Sequence, residues 1–305
     1  MSSVRIAAAG RNRSLIRGTG DYVLESCCTV IISVFALCCL APFVYVFFIS
    51  FMSYEEYLSA PLRIIPRDPT VNAYKEILSY DLIRSGYLVT GFVTVFGTVL
   101  SVFLLVISAY PLSKPNLKGR GVIMTLILFT MFFNGGMIPN YLLIRNLGIF
   151  NTVWALILPG CISAFYLILM KNFIRTIPAS LEEAARVDGA NEIRILFSVI
   201  VPLLKPAIAT LVIFCAVNYW NNYFSAMMYI MDRRLWPLIL VLREIVLENT
   251  DSVSPLVAML TQAARSHPFT LKMAAIIIVI LPILVVYPFM QRYFIKGIAL
   301  GAVKE

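Results

Sequence analysis

Six stretches of this chain contain no Asp, Glu, Lys, Arg or His: residues 27–52, 86–110, 121–144, 152–170, 206–231 and 273–290. Each holds 18 residues or more. A helix rises about 1.5 Å per residue, so each run can cross about 30 Å of hydrocarbon. Water cannot satisfy backbone N–H and C=O groups at that depth, so such runs must be helical. Charged residues make up only 13% of the chain, against about 25% in soluble domains. That excludes a water-soluble enzyme, a disordered chain and a secreted disulfide scaffold. The fold class expected is an all-α membrane protein with six transmembrane helices.

The net charge of +9 fits a positive-inside bias better than a nucleic-acid surface. With the N-terminus placed in the cytoplasm, inner segments hold 15 Lys and Arg and outer segments 10, while acidic residues divide 7 and 9. Both termini are therefore expected to be cytoplasmic. Arg5, Arg11, Arg13 and Arg17 precede the first run, which is too long for a signal peptide's apolar region and reads as a retained helix. The expected organisation is an N-terminal cytoplasmic segment at 1–26, a first transmembrane helix at 27–52 and an outer loop at 53–85. A transmembrane core at 86–292 and a cytoplasmic tail at 293–305 follow. The six cysteines fall among apolar residues and read as small buried hydrophobes rather than disulfide partners. The single histidine, His267, has no cluster of metal ligands around it and reads as structural.

The inner segment 171–205 carries the most local information. Ser180 and Glu183 have the spacing of a capping box at a helix start. Gly189 can take a positive φ and end that helix, and Asp188 or Asn191 can cap the next. Ile193, Leu196, Phe197 and Ile200 recur at helical spacing and suggest one apolar face. Pro202 and Pro206 redirect the chain before the fifth run. Two short helices joined by a sharp turn are expected.

Glu183, Ala184, Ala185, Asp188, Gly189, Phe197, Ile200, Pro202 and Pro206 stand in the order and punctuation of a known signature. The segment resembles the EAA loop of permeases from binding-protein-dependent ABC importers. Further stretches resemble the carbohydrate branch: the Trp-Asn element within 218–224, Gly135 to Tyr141, Asn151 to Pro159, and Gln291 to Lys304. These last three are similar to permeases for polysaccharide fragments of the alginate or aldouronate kind. The resemblance implies a type I ABC importer permease fold with cytoplasmic coupling helices at 178–205. Glu183 would face the ATPase, and Gly189 would make the turn. It further implies a cytoplasmic ABC ATPase dimer, an extracytoplasmic solute-binding protein and a second permease subunit, with a heterodimer favoured. The implied location is the bacterial cytoplasmic (inner) membrane, crossed several times and in contact with lipid.

Two absences agree with this. No ionisable side chain lies within the six runs, which disfavours a proton symporter. No Gly-x-x-x-x-Gly-Lys-Ser/Thr stretch occurs, so ATP and Mg belong to a partner chain and this chain needs no cofactor. No nucleophile pairs with a base inside a run, which argues against an intramembrane enzyme. An oligosaccharide, with uronate-type fragments as the narrower expectation, should meet amides, hydroxyls and aromatic faces along its path. The candidates are Asn134, Ser163, Tyr166, Asn218, Trp220, Asn221 and Asn222. The alternative is an ABC importer permease for a non-sugar solute.

Overall fold

The computed structural model describes residues 19–60, 63–247 and 268–302; His267 and the rest of 248–267 lie outside them. No strand occurs among the described residues. A long helix α1 (Thr19–Ser50) leads into two short ones, α2 (Tyr54–Ser59) and α3 (Asn72–Leu78). The second long helix is α4 (Asp81–Ser113). Then come α5 (Arg120–Phe132), α6 (Met137–Asn146), α7 (Trp154–Gly160) and α8 (Ala164–Ile174). The EAA-like segment forms α9 (Ala179–Val187) and α10 (Glu192–Leu203). After these come α11 (Lys205–Trp220), α12 (Tyr223–Tyr229), α13 (Leu238–Leu247) and the third long helix, α14 (Pro268–Ala302).

Three crossings are single helices: α1, α4 and α14 are each long and apolar enough to span a bilayer. The remaining three runs do not form straight spans. Helices α5 and α6 meet at 114°, α7 and α8 at 52°, and α10 and α11 at 83°. Counting each bent pair as one crossing gives up to six, matching the number expected; the break of the last pair falls at Leu204, so the 206–231 run begins with α11 and α10 lies ahead of it. The breaks have local causes. Gly136 adopts φ +92° between α5 and α6. Pro159 and Gly160 close α7. Pro202 and Pro206 lack the N–H that would continue the α10–α11 ladder.

Helix α4 is the hub. Its lower half packs against α8, α10 and α11 through Leu105, Ala109, Met170, Ile195, Ile200 and Leu211. Its first turn joins a second cluster, where Ile83 meets Ala73, Ile77, Leu238, Val241 and Ala274. Gly97 lets α11 close on α4, because a Cβ there would stand 2.8 Å from the Tyr219 ring. The Tyr219 hydroxyl donates to the Ile157 carbonyl at 3.1 Å and lies 2.9 Å from Ser101 Oγ. That carbonyl is free because Cys161 N bonds to Leu158 O instead. Tyr87 donates to the Ile278 carbonyl at 2.5 Å. Pro282, four residues further on, has no N–H for that carbonyl. Thr90 Oγ1 accepts from the Leu238 N–H at 2.8 Å, an orphan donor at the start of α13.

One expectation about the cysteines is corrected. Cys215 is buried, but Cys27, Cys28, Cys38 and Cys39 are exposed on α1. Among the described residues, none in the apolar window of α1 is buried, which leaves that surface open to lipid or another subunit.

The Tyr219 hydroxyl should be measurable as stability. Tyr219→Phe keeps the ring against Gly97 but leaves the Ile157 carbonyl unbonded. A loss of about 1 kcal/mol is expected, read as a lower midpoint for unfolding of the purified protein in mixed micelles. Gly97→Val should cost more, because the ring has no space to retreat.

Candidate functional site

The α9–α10 segment is built by its own backbone chemistry. Gly189 adopts φ +79°, its N–H bonds to the Arg186 carbonyl at 3.0 Å, and Ala190 N–H bonds to the Ala185 carbonyl at 3.0 Å. This is a Schellman closure of α9, with Ala185 and Ala190 packed against the core beneath. Asn191 Oδ1 then caps α10 by accepting from Arg194 N at 2.8 Å. The capping box expected from Ser180 and Glu183 does not form. Pro178 is the N-cap, which puts Ser180 inside the helix where its hydroxyl caps nothing.

The single apolar face expected on α10 is also revised. Leu196–Ile200 is wound as a π-turn, with Val201 N bonded to Leu196 O. The wider turn divides the apolar residues into two sets. Ile195, Leu196 and Ile200 are buried. Ile193 is 70% exposed and Phe197 47% exposed, beside Val187 on α9 at 88%. Glu183, Ala184, Asp188 and Pro202 are also exposed, and Ala185 is half-buried.

An ionic lattice ties the segment to α4. Lys114 pairs with Glu182, and its ammonium lies 4.2 Å from the centre of the Tyr110 ring. The Tyr110 hydroxyl donates to Glu192 Oε2 at 2.8 Å. Arg186 bridges the two acids, 2.9 Å from Glu192 Oε1 and 3.7 Å from Glu182 Oε2. Hydrogen bonds from Arg186 and then Tyr110 hold the Glu192 carboxyl below the usual glutamate range. An open cleft of about 930 Å³ lies beside the lattice, between the end of α4 and the α9–α10 segment. Sequence reasoning chose Glu183 and missed Glu182, Lys114, Tyr110 and Glu192. The available signal was Lys114, a lone base set between Pro111 and Pro115 and counted only toward orientation.

The candidates for the solute path are not gathered in one place. Asn134 is exposed at the α5–α6 break, where Oδ1 accepts from Gly136 N at 3.0 Å and Asn140 Nδ2 at 3.3 Å. Ser163 precedes α8 at the α7–α8 break. Tyr166 stacks on Phe214 with ring centres 5.9 Å apart. Trp220 packs beside α13 and α14, its Nε1 buried without an acceptor among the described residues. Asn222 caps α12 by accepting from Ser225 N at 3.3 Å. Asn218 and Asn221 remain exposed on the last turn of α11, three residues apart and so on one side of the helix. Helix α11 starts beside α10 and rises about 24 Å over its 16 residues, so this turn lies at its far end. Among the described residues no group of His, Cys, Asp and Glu could hold a metal ion.

Breaking the lattice should open the segment. Lys114→Glu sets a like charge against Glu182 and should speed tryptic cleavage after Arg186 and Arg194 several-fold. The exchange Lys114→Glu with Glu182→Lys should restore protection. Acid should have a related effect. A depressed carboxylate stabilises the fold above the unfolded value of about 4.3, and that contribution disappears as pH falls through the lower folded value. Pepsin cleavage near Phe197 should therefore accelerate below that range, and Glu192→Gln should remove this step in the pH profile.

Residues 85–300 match the family described as the binding-protein-dependent transport system inner membrane component. The chain is 45% identical over 270 residues to the polygalacturonan/rhamnogalacturonan transport system permease protein YtcP of Bacillus subtilis (strain 168), covering 88% of this chain and 94% of that one. It is 41% identical over 263 residues to Protein LplC of the same organism, covering 86% and 88%. Among solved structures it is similar to a chain of a bacterial ABC transporter involved in the import of the acidic polysaccharide alginate. The TM-score is 0.84 at 37% identity, over 91% of this chain and 98% of that one.

Proposed function

Since the chain belongs to the family of binding-protein-dependent transport system inner membrane components, we propose that it forms half of the path by which an ATP-driven importer takes up acidic, polysaccharide-derived oligosaccharides. It is a multi-pass permease component of the inner membrane and not an enzyme, and its kind works with a solute-binding protein and an ATPase. The finer reading has a second, different permease subunit opposite this one and both termini in the cytoplasm. ATP and Mg sit wholly in the ATPase pair.

The observation that carries this reading is the exposed apolar side of α9–α10. Val187, Ile193 and Phe197 project from a segment anchored to α4 on its other side. An unfilled apolar surface beside charged groups suits a protein partner rather than water. In the proposed cycle, ATP binding closes the ATPase pair against this surface. The lattice and the core beneath pass that displacement to α4, α8 and α11. The path then opens outward to accept sugar from the binding protein, and inward after hydrolysis. Oligogalacturonate is the first substrate class to test, because a relative is named for polygalacturonan and the structural neighbour imports another polyuronate.

The test is ATP hydrolysis by the reconstituted complex with its binding protein, across neutral and uronate oligosaccharides. Stimulation by uronates is expected. Gly189→Pro should abolish it, because proline fixes φ near −65° and cannot adopt the +79° turn. Glu183→Ala should weaken it. Stimulation that survives both changes would refute coupling through this segment, and stimulation by neutral sugars alone would refute the uronate assignment.

A further inference from the structure

At the end of the bundle remote from α9–α10, two arginines one helix apart have opposite electrostatic situations. Arg233 is committed: it donates to Glu244 Oε1 at 2.9 Å and lies 5.2 Å from the Trp236 ring centre. Arg243 is exposed and has no ion-pair partner among the described residues. Its guanidinium carbon stands 5.8 Å from the centre of the Tyr223 ring, which is itself 42% exposed. Arg243 lies on α13 opposite the buried Val241 and Ile245, so its direction is set by the packing of the other face.

Tyr223 follows directly on the amide-rich turn. Asn222 is spent as a helix cap, and Asn221 Nδ2 donates to the Val217 carbonyl at 3.0 Å. Asn221 keeps its carbonyl oxygen free, and Asn218 has no side-chain partner among the described residues. One end of the fold therefore presents a planar cation, an aromatic face and two amides. A uronate unit offers the matching set: a carboxylate, a ring face of C–H bonds, and hydroxyls. Arginine's fork suits a carboxylate in two-point contact, and the aromatic ring restrains it beforehand. A neutral sugar would need the amides and the ring but not the cation.

We propose that Arg243 is the specificity-determining residue for acidic substrates, binding a uronate carboxylate while Tyr223 packs on the sugar ring and Asn218 and Asn221 take its hydroxyls. This rests on the importer reading above. A competing anion is the phosphate of a lipid headgroup, which an arginine near a membrane boundary also meets.

The experiment compares trigalacturonate with its methyl ester, which keeps the rings and hydroxyls but removes the charge. Sugar-stimulated ATP hydrolysis is measured for wild type, Arg243→Gln and Arg243→Lys in the full complex. The quantity read is the ratio of the two KM values. The binding protein is common to all variants, so only the change in that ratio reports on Arg243. Arg243→Gln should lower the preference for the acid by about tenfold, the loss of one charged hydrogen-bonded contact. Arg243→Lys should fall between, and it carries the test alone if the Gln variant does not assemble. An unchanged ratio with both KM values shifted together, varying with the phosphatidylglycerol content of the liposomes, would assign Arg243 to lipid and overturn the proposal. Failure of the wild type to respond to either sugar would overturn the uronate assignment beneath it.

Discussion

Broken helices in a membrane need replacement hydrogen bonds, and the rest of this structure depends on how they are supplied. Each break strips backbone groups of their intrahelical partners at a depth where water cannot replace them. Here α4 supplies two of the replacements and supports a third. Tyr87 takes the carbonyl that Pro282 orphans in α14, and Thr90 takes the first N–H of α13. Ser101 supports Tyr219 as it takes the Ile157 carbonyl at the end of α7. Tyr87 and Thr90 sit on α4 itself and Tyr219 is braced against it, so one helix serves neighbours on three sides. Gly97 is part of the same solution, since only a residue without a side chain admits the Tyr219 ring.

The same helix connects the two ends to which function is assigned by proposal. Its first turn packs with α3, α13 and α14, near the end where Arg243, Tyr223 and the free asparagines are exposed. Its last turn holds Tyr110, and Lys114 follows just beyond it. Both grip the α9–α10 segment through Glu192 and Glu182. A displacement of the coupling segment therefore meets α4 through ion pairs and hydrogen bonds backed by the packing of Ile195 and Ile200. This gives a contiguous physical route for coupling, built of groups whose partners are identified.

Much of this was legible in the sequence because it depends on local rules. Charge-free runs mark the crossings, Gly189 marks a positive-φ turn, and the punctuation of the 178–205 segment marks two short helices joined by a sharp turn. What escaped depends on contacts between distant residues. The capping box failed because Pro178 fixes the helix start two residues before Ser180. The single apolar face of α10 failed because a π-turn shifts the helical register, which a 3.6-residue period cannot anticipate. Glu182 and Glu183 are indistinguishable in sequence, and only the approach of Lys114 selects the former. The asparagine cluster was visible, but its division into a cap, Asn222, and exposed amides, Asn218 and Asn221, follows from where α11 ends. Arg243 lay between the fifth and sixth charge-free runs, and its pairing with Tyr223 spans 20 positions.

The central claim is that replacement hydrogen bonds on α4 make the coupling end and the remote end move as one body. Spin labels at Val187 and Met231, both exposed, would report the distance between them by pulsed electron resonance in the assembled complex with its native cysteines replaced. The account predicts a narrow distance distribution that keeps its mean through the nucleotide states. It should broaden when Tyr87→Phe and Tyr219→Phe are combined. A wild-type distribution already as broad as that of the double variant would contradict it.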